Sequence, residues 1–399
     1  MVLVVRNIGE LLTLPAEGLG RIENAALIVE DGVIKFAGPE SALAIPGGAE
    51  VIDAGGQLVT PGLVDPHTHP IFAGARHGEF ELRTRGKSYA EIQAAGGGIL
   101  ATVRATNDAT DDALIESTVK RLDQFLRHGT TTIEAKSGYS LSHQGELRLL
   151  RLLGLAAARH PVRMSRTLLA HVPPPDLSAL LRSEYVARFC DETIATAALQ
   201  QLADAVDVYC DAGAFTLQET RRILTTAKEA GLRLRLHAEQ FTRTGAAELA
   251  AELGAHSVEH LEELSEEAPA LLAAAGTVCN LLPGAALTLK LKRPDARRLL
   301  AAGCTVALGT DYNPGSSLAE SLPLMMSLGI LEHGLYVDEA WRAVTRNAAR
   351  AVGLANVGTL EAGAHADFVL WQTADHREVP QHLGTNLVAE VYIAGARVR

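Results

Sequence analysis

Between Val59 and about Ala351 the chain alternates short apolar runs with stretches rich in Ala, Leu, Glu and Arg, and this alternation restricts the fold more than any other feature. Eight runs have strand character: Leu58 to Val64, Thr131 to Ala135, Met164 to Leu169, Val206 to Tyr209, Leu232 to Leu236, Ser257-Val258, Val278 to Leu281 and Thr305 to Leu308. Helical stretches fall between them, among them Ala113 to His128, Gln144 to Arg159, Leu217 to Ala230, Gly245 to Leu253 and Ala296 to Ala302. Eight strand-helix units in about 290 residues predict an α/β fold of the TIM-type (β/α)8 barrel class, in which chemistry sits at the carboxyl ends of the strands.

The flanks read differently. Residues 1–60 carry strand-like pieces at Leu3 to Val5, Ala26 to Val29, Val33 to Ala37 and Val51-Ile52, separated by turn signals such as Glu30-Asp31-Gly32 and Ala54-Gly55-Gly56. Beyond the barrel, Glu339 to Gly353 reads as a helix ended by glycine, and Asp367 to Leu370 and Val388 to Ile393 return to strand character. The expected organisation is a barrel over 61–351 and a small split β-sandwich built from 1–60 and 352–399.

The strand ends carry the chemistry-bearing side chains. The first run leads into Asp65-Pro66-His67-Thr68-His69, and two histidines two apart on an extended segment point to the same side. The fifth run ends in His237-Ala238-Glu239-Gln240 and the eighth in Gly309-Thr310-Asp311. His67, His69, His237 and Asp311 therefore form a nitrogen-and-oxygen shell suited to one divalent metal, zinc or iron, with room for water. A metal there lowers the pKa of its water to about 7, which makes hydroxide available for attack on a carbonyl, and Asp311 can take and return the proton. His171 follows the third run and His260 the sixth, where they can hold the substrate or stabilise negative charge on its carbonyl oxygen. Arg76 and Tyr139, on the loops after the first two runs, suit a small anionic substrate.

Composition removes other classes. With net charge -11 and no long Lys/Arg run, a polyanion-binding surface and hence nucleic acid is not expected. Nowhere do about eighteen uncharged apolar residues run together, and Met1 to Arg6 lacks a signal h-region, so a membrane span is not expected and a cytoplasmic location is. Cys190, Cys210, Cys279 and Cys304 have the scattered spacing of reduced, buried thiols. The glycines of Ala94 to Gly98 lack the Gly-Lys-Ser/Thr ending of a phosphate loop and are expected to turn the backbone beside the site mouth.

Several longer segments, Val64 to His69, Ala94 to Val103, Ala135 to Tyr139, His237 to Gln240 and Leu308 to Ser317, resemble the amidohydrolase superfamily and, within it, the imidazolonepropionase family of histidine degradation. This resemblance spans about residues 50 to 370. It implies a mononuclear zinc or iron hydrolase that opens the ring of 4-imidazolone-5-propanoate, a small-molecule substrate, to N-formimidoyl-L-glutamate. The metal ligands it implies are His67, His69, His237 and Asp311, and the substrate contacts are Arg76, Tyr139, His171, Gln240, Asn313, Gly315 and Ser316. His260 matches a catalytic-site histidine of the family. Some members have Glu at the place of Gln240; Gln cannot act as a base, so proton transfer falls to Asp311 or His260. The rival activity on the same fold is a deaminase of a cyclic amidine or nucleobase, for which Glu239 is the available acid. Barrels of this type often pair, which makes a homodimer an expectation of the fold.

Overall fold

The computed structural model describes residues 2–87, 91–92, 96–175 and 177–399. In chain order its strands are β1 (Val2–Leu12), β2 (Arg21–Glu30), β3 (Val33–Pro39), β4 (Glu50–Asp53), β5 (Leu58–Pro61), β6 (Leu63–Thr68), β7 (Thr130–Lys136), β8 (Arg163–Ala170), β9 (Ala205–Cys210), β10 (Arg233–Ala238), β11 (Ser257–His260), β12 (Val278–Leu281), β13 (Val306–Leu308), β14 (Phe368–Trp371), β15 (Val388–Ile393) and β16 (Ala396–Arg397). Strands β6 to β13 pair in sequence order as one parallel sheet of eight. It closes at its carboxyl end, where His69 N–H donates to Tyr312 O at 2.9 Å and Asp311 N–H donates to His67 O at 3.0 Å. The eight expected barrel strands are thus present, and the first and last are tied together at the residues that carry His67, His69 and Asp311.

Both chain ends enter a second sheet, ordered β16-β15-β14-β5-β1-β2-β3 with β4 also on β1. Its core gathers Val5, Ile8, Leu27, Val59, Phe368 and Tyr392, with the rings of Phe368 and Tyr392 stacked 4.4 Å apart.

Two expected elements divide. Leu58 to Val64 is not one strand: β5 joins the end sheet against β14, and β6 opens the barrel. Gly62 makes the crossing, because a Cβ there would lie 2.1 Å from Thr131 Oγ1, while its N–H donates to Asp367 O at 2.8 Å. Likewise Glu339 to Gly353 is two helices, Val337–Ala343 and Arg346–Val352. The break falls at the β-branched pair Val344-Thr345, where Thr345 leaves helical geometry (φ -130°, ψ -101°) and Val344 O accepts a 2.8 Å bond from Val64 N–H. The second of these helices packs on β6, β12 and β13 at the amino end of the barrel.

The helices around the barrel begin where the sequence supplies caps. Thr110 caps Asp111–Arg127, Ser142 caps His143–Ala157, and Thr216 with Glu219 forms a capping box on Leu217–Glu229. Among the described residues no helix is long and apolar enough to cross a membrane.

Candidate active site

Three side-chain atoms converge at the closed end of the barrel. His67 Nε2 and His69 Nε2 lie 3.3 Å apart, and each lies 3.4 Å from Asp311 Oδ1. All three residues are buried. Two imidazole lone pairs and a carboxylate oxygen facing one another in a dry site repel unless positive charge lies among them. Edges of this length match a tetrahedron of ligands about 2.0–2.1 Å from a central zinc-like ion. His237 stands beside this cluster, grouped with His67 and His260: its Nδ1 is held by Asp207 Oδ1 at 2.9 Å, which leaves Nε2 as the lone-pair donor, and its ring lies 4.5 Å from that of His67 between centroids. The donor set of three imidazoles and one carboxylate fits a divalent metal.

The electrostatics agree with that demand for positive charge. Burial and Lys136 both pull the pKa of His67 down, but the Asp311 and Glu259 carboxylates outweigh them and raise it to about 9. Burial would protonate Asp311, yet its bonds to His67 and His69 hold it well below the usual carboxylate range. Burial keeps His237 neutral, well below the usual histidine range, against the pull of Asp207.

A cavity of about 430 Å³ opens above these groups, within the ordinary range for a small-molecule site. Its wall holds His69, Arg76, Tyr139, His171, His237, Gln240, His260, Asp311, Asn313, Gly315 and Ser316, so of the residues singled out from the sequence His67 and Glu239 are not on it. Tyr209, Phe241, Ile99 and Leu289 add an apolar and aromatic surface that the sequence reading did not anticipate.

Each loop is built to present its residue. After β7, the buried Glu146 carboxylate accepts N–H bonds from Gly138, Ser140 and Leu141, which wraps the loop around Tyr139. Past β8, His171 Nδ1 lies 3.1 Å from Gly138 O. A carbonyl only accepts, so Nδ1 carries the proton and Nε2 is an acceptor. Burial and the neighbouring His69 lower its pKa to about 3, so the ring stays neutral. An acceptor nitrogen at this place suits a substrate N–H. His260 and Leu261 are consecutive non-glycine residues with positive φ, 78° and 77°, a strained turn that sets the His260 ring 5.5 Å from His237.

After β13, Asn313 Oδ1 accepts from the N–H groups of Gly315 and Ser316, both at 2.8 Å, while its Nδ2 donates to Asp311 O at 2.6 Å and Ser316 Oγ at 2.7 Å. Its amide therefore shapes the loop. Ser316 Oγ in turn donates to Asp311 Oδ2 at 3.1 Å. Gly315 leaves room for Arg76, since a Cβ would stand 2.4 Å from that guanidinium. The guanidinium is also held by Glu79, whose second oxygen accepts from Gly98 N–H at 3.0 Å. Gly96 and Gly98 have positive φ as expected of a turn, while Ala94 and Ala95 lie outside the described residues.

Glu239, the acid available to a deaminase, is spent elsewhere. Its carboxylate accepts N–H bonds from Thr244, Gly245, Ala246 and Ala247 at the start of helix Ala246–Leu253.

The sequence reading missed an entire layer beneath the metal-type cluster. Glu134, Lys136, Asp207, Arg235 and Glu259 are all fully buried inside the barrel, on β7, β9, β10 and β11. Lys136 Nζ bonds Glu134 Oε1 at 2.8 Å and Asp207 Oδ2 at 2.7 Å. Glu259 lies 3.3 Å from His67 Nδ1. The available signal was the i, i+2 spacing of polar residues within apolar strands, as in Glu134/Lys136 and Arg235/His237.

A family model described as the amidohydrolase family matches residues 58–398. A protein of Geobacillus kaustophilus named imidazolonepropionase is 45% identical over 387 residues, covering 95% of this chain and 91% of that protein. One of the same name from Deinococcus radiodurans is 46% identical over 377 residues, covering 94% and 92%. Among solved structures, an adenosine deaminase from Xanthomonas campestris with bound zinc superposes with a TM-score of 0.76 at 19% identity, covering 99% of this chain and 92% of that one. A triazine hydrolase superposes at 0.77 with 17% identity, covering 100% and 94%. At such identities these structures speak for the fold alone.

Proposed function

The chain belongs to the amidohydrolase family, and we infer from that premise and from its relatives that it catalyses the imidazolonepropionase reaction: hydrolytic opening of 4-imidazolone-5-propanoate to N-formimidoyl-L-glutamate in histidine breakdown. The observation that carries the reading is the convergence of His67, His69 and Asp311 beneath a cavity whose wall also holds Arg76, three further histidines and two tyrosines.

His67, His69, His237 and Asp311 would hold one divalent ion, zinc or iron, both of which accept three imidazoles and a carboxylate. When bound, such an ion polarises a carbonyl and brings the pKa of water to about 7. The chain's own groups do the rest. Arg76, which Glu79 holds on the cavity wall, binds the propanoate by a charge-assisted pair, and Tyr139 on the same wall adds a hydroxyl. His171 accepts a hydrogen bond from a ring N–H through Nε2, which orients the ring over Asp311. Gln240 binds and does not move protons. Asp311, or His260 across the cavity, takes the proton of the attacking water and delivers it to the ring nitrogen as the C–N bond breaks. The oxygen of water ends in the new carboxylate; one of its hydrogens goes to the ring nitrogen that leaves the carbonyl carbon, and the other leaves the new carboxyl group for the basic formimidoyl nitrogen, so the step balances with no other reactant.

The direct test is consumption of freshly generated 4-imidazolone-5-propanoate by the purified protein, with the product identified by mass. Appearance of N-formimidoylglutamate is expected; release of ammonia from a cyclic amidine, with the imidazolone untouched, would move the assignment to deamination. Arg76→Ala is expected to raise KM for the anionic substrate by about 10-fold or more, the loss of one charge-assisted pair, with a smaller change in kcat. An unchanged KM in steady-state assays would remove Arg76 from substrate binding.

A further inference from the structure

We infer that Lys136 is a positioning residue that aligns both halves of the metal-ligand set from inside the barrel. The inference rests on the reading of His67, His69, His237 and Asp311 as ligands, and adds to it a buried cation that ties two of their supports, Glu134 and Asp207, together. Lys136 is fully buried at the end of β7 and touches neither the cavity wall nor the converging ligand atoms. A buried ammonium is costly unless it is paired, and this one is paired twice, to Glu134 at 2.8 Å and to Asp207 at 2.7 Å.

Each of those carboxylates has a second task. Asp207 Oδ1 accepts from His237 Nδ1 at 2.9 Å and from His237 N–H at 3.2 Å, which fixes both the tautomer and the tilt of that ring. Glu134 Oε2 accepts from the N–H of Thr68 at 3.3 Å, and the Thr68 hydroxyl donates to Glu134 O at 2.5 Å. Thr68 is the residue between His67 and His69. One ammonium thus holds the carboxylate that orients the ligand of β10 and the carboxylate that anchors the two-histidine segment of β6. Without it, the two buried carboxylates, on β7 and β9 with β8 between them, would be left unneutralised inside the barrel and turn away from the groups they hold. Arg235 does not replace it: it stands 4.0 Å from Glu134 and 3.8 Å from Glu259, and its hydrogen bonds go to Pro66 O, Ser257 Oγ and Ala351 O, none to Asp207.

The test uses cobalt(II) as the probe, because its visible absorption reports ligand geometry and does not depend on turnover. Wild type and Lys136→Met, checked for folding by circular dichroism, are titrated with cobalt against a competing chelator. Lys136→Met is expected to bind cobalt about 10- to 100-fold more weakly and with shifted absorption bands. Asp207→Asn keeps an acceptor for His237 but sets an amide against the ammonium; it is expected to shift the bands in the same way, and it carries the test if Lys136→Met does not fold. Wild-type affinity and spectrum in a folded Lys136→Met, or failing that in Asp207→Asn, would overturn the positioning role, since a purely structural lysine would change only the melting temperature. A wild-type chain that takes up no cobalt would overturn the metal reading and this inference together.

Discussion

Asp311→Asn is expected to lower turnover of 4-imidazolone-5-propanoate by about 10³-fold or more while the protein stays folded. The substitution keeps size and shape. Its backbone N–H still donates to His67 O, and Ser316 Oγ still finds an acceptor at the place of Oδ2, so the closure of the barrel at β6 and β13 survives. What disappears is the negative charge 3.4 Å from two imidazole nitrogens, and with it a ligand and a proton acceptor at one stroke. Asp311 also adopts a positive φ of 49°, a conformation that Asn tolerates at least as well, so the loss will not come from backbone strain. Initial-rate assays with a circular dichroism control decide it. Turnover near the wild-type rate would remove Asp311 from both roles.

That the carboxylate could be singled out at all follows from where it stands. His67, His69, His237 and Asp311 each follow an apolar run long enough to be recognised, and a barrel puts chemistry at just those ends. The interior charges were hidden for the opposite reason. A lysine or glutamate in a barrel strand contradicts the expectation that such residues are exposed, and only the network of partners makes Lys136 and Glu134 tolerable there. The i, i+2 spacing of Glu134 and Lys136 is written along β7, but the partner that completes the network, Asp207, stands two strands away on β9 and is not. The same holds for Glu239, which looks like a candidate acid in sequence and is consumed by backbone N–H groups, as the buried Glu146 is. Gly62 shows a third limit: apolar residues stand on both sides of it from Leu58 to Val64, so only the short turn-like Pro61-Gly62 marks the passage from one sheet to the other.

Removing the metal should abolish turnover, a fall of about 10³-fold or more, and one equivalent of zinc(II) or iron(II) should restore it. Stripping also changes stability in a pH-dependent way. A ligand that binds only the folded chain stabilises it by about 4 kcal/mol at a free concentration 1,000 times its Kd. The stripped cluster compensates in part by holding a proton, because its carboxylates raise the pKa of His67 from 6.5 to about 9. A folded-state pKa above the unfolded one stabilises the protein fully below about 6.5 and ceases to do so as pH rises through about 9. The stripped protein therefore loses stability across that window. The loaded protein, in which the cation replaces the proton, loses none by this route. The gap between their melting temperatures is expected to widen from pH 6.5 to pH 9. A gap that narrows over the same range would mean that proton and metal do not compete for His67, and turnover that survives stripping would remove the metal from the reaction.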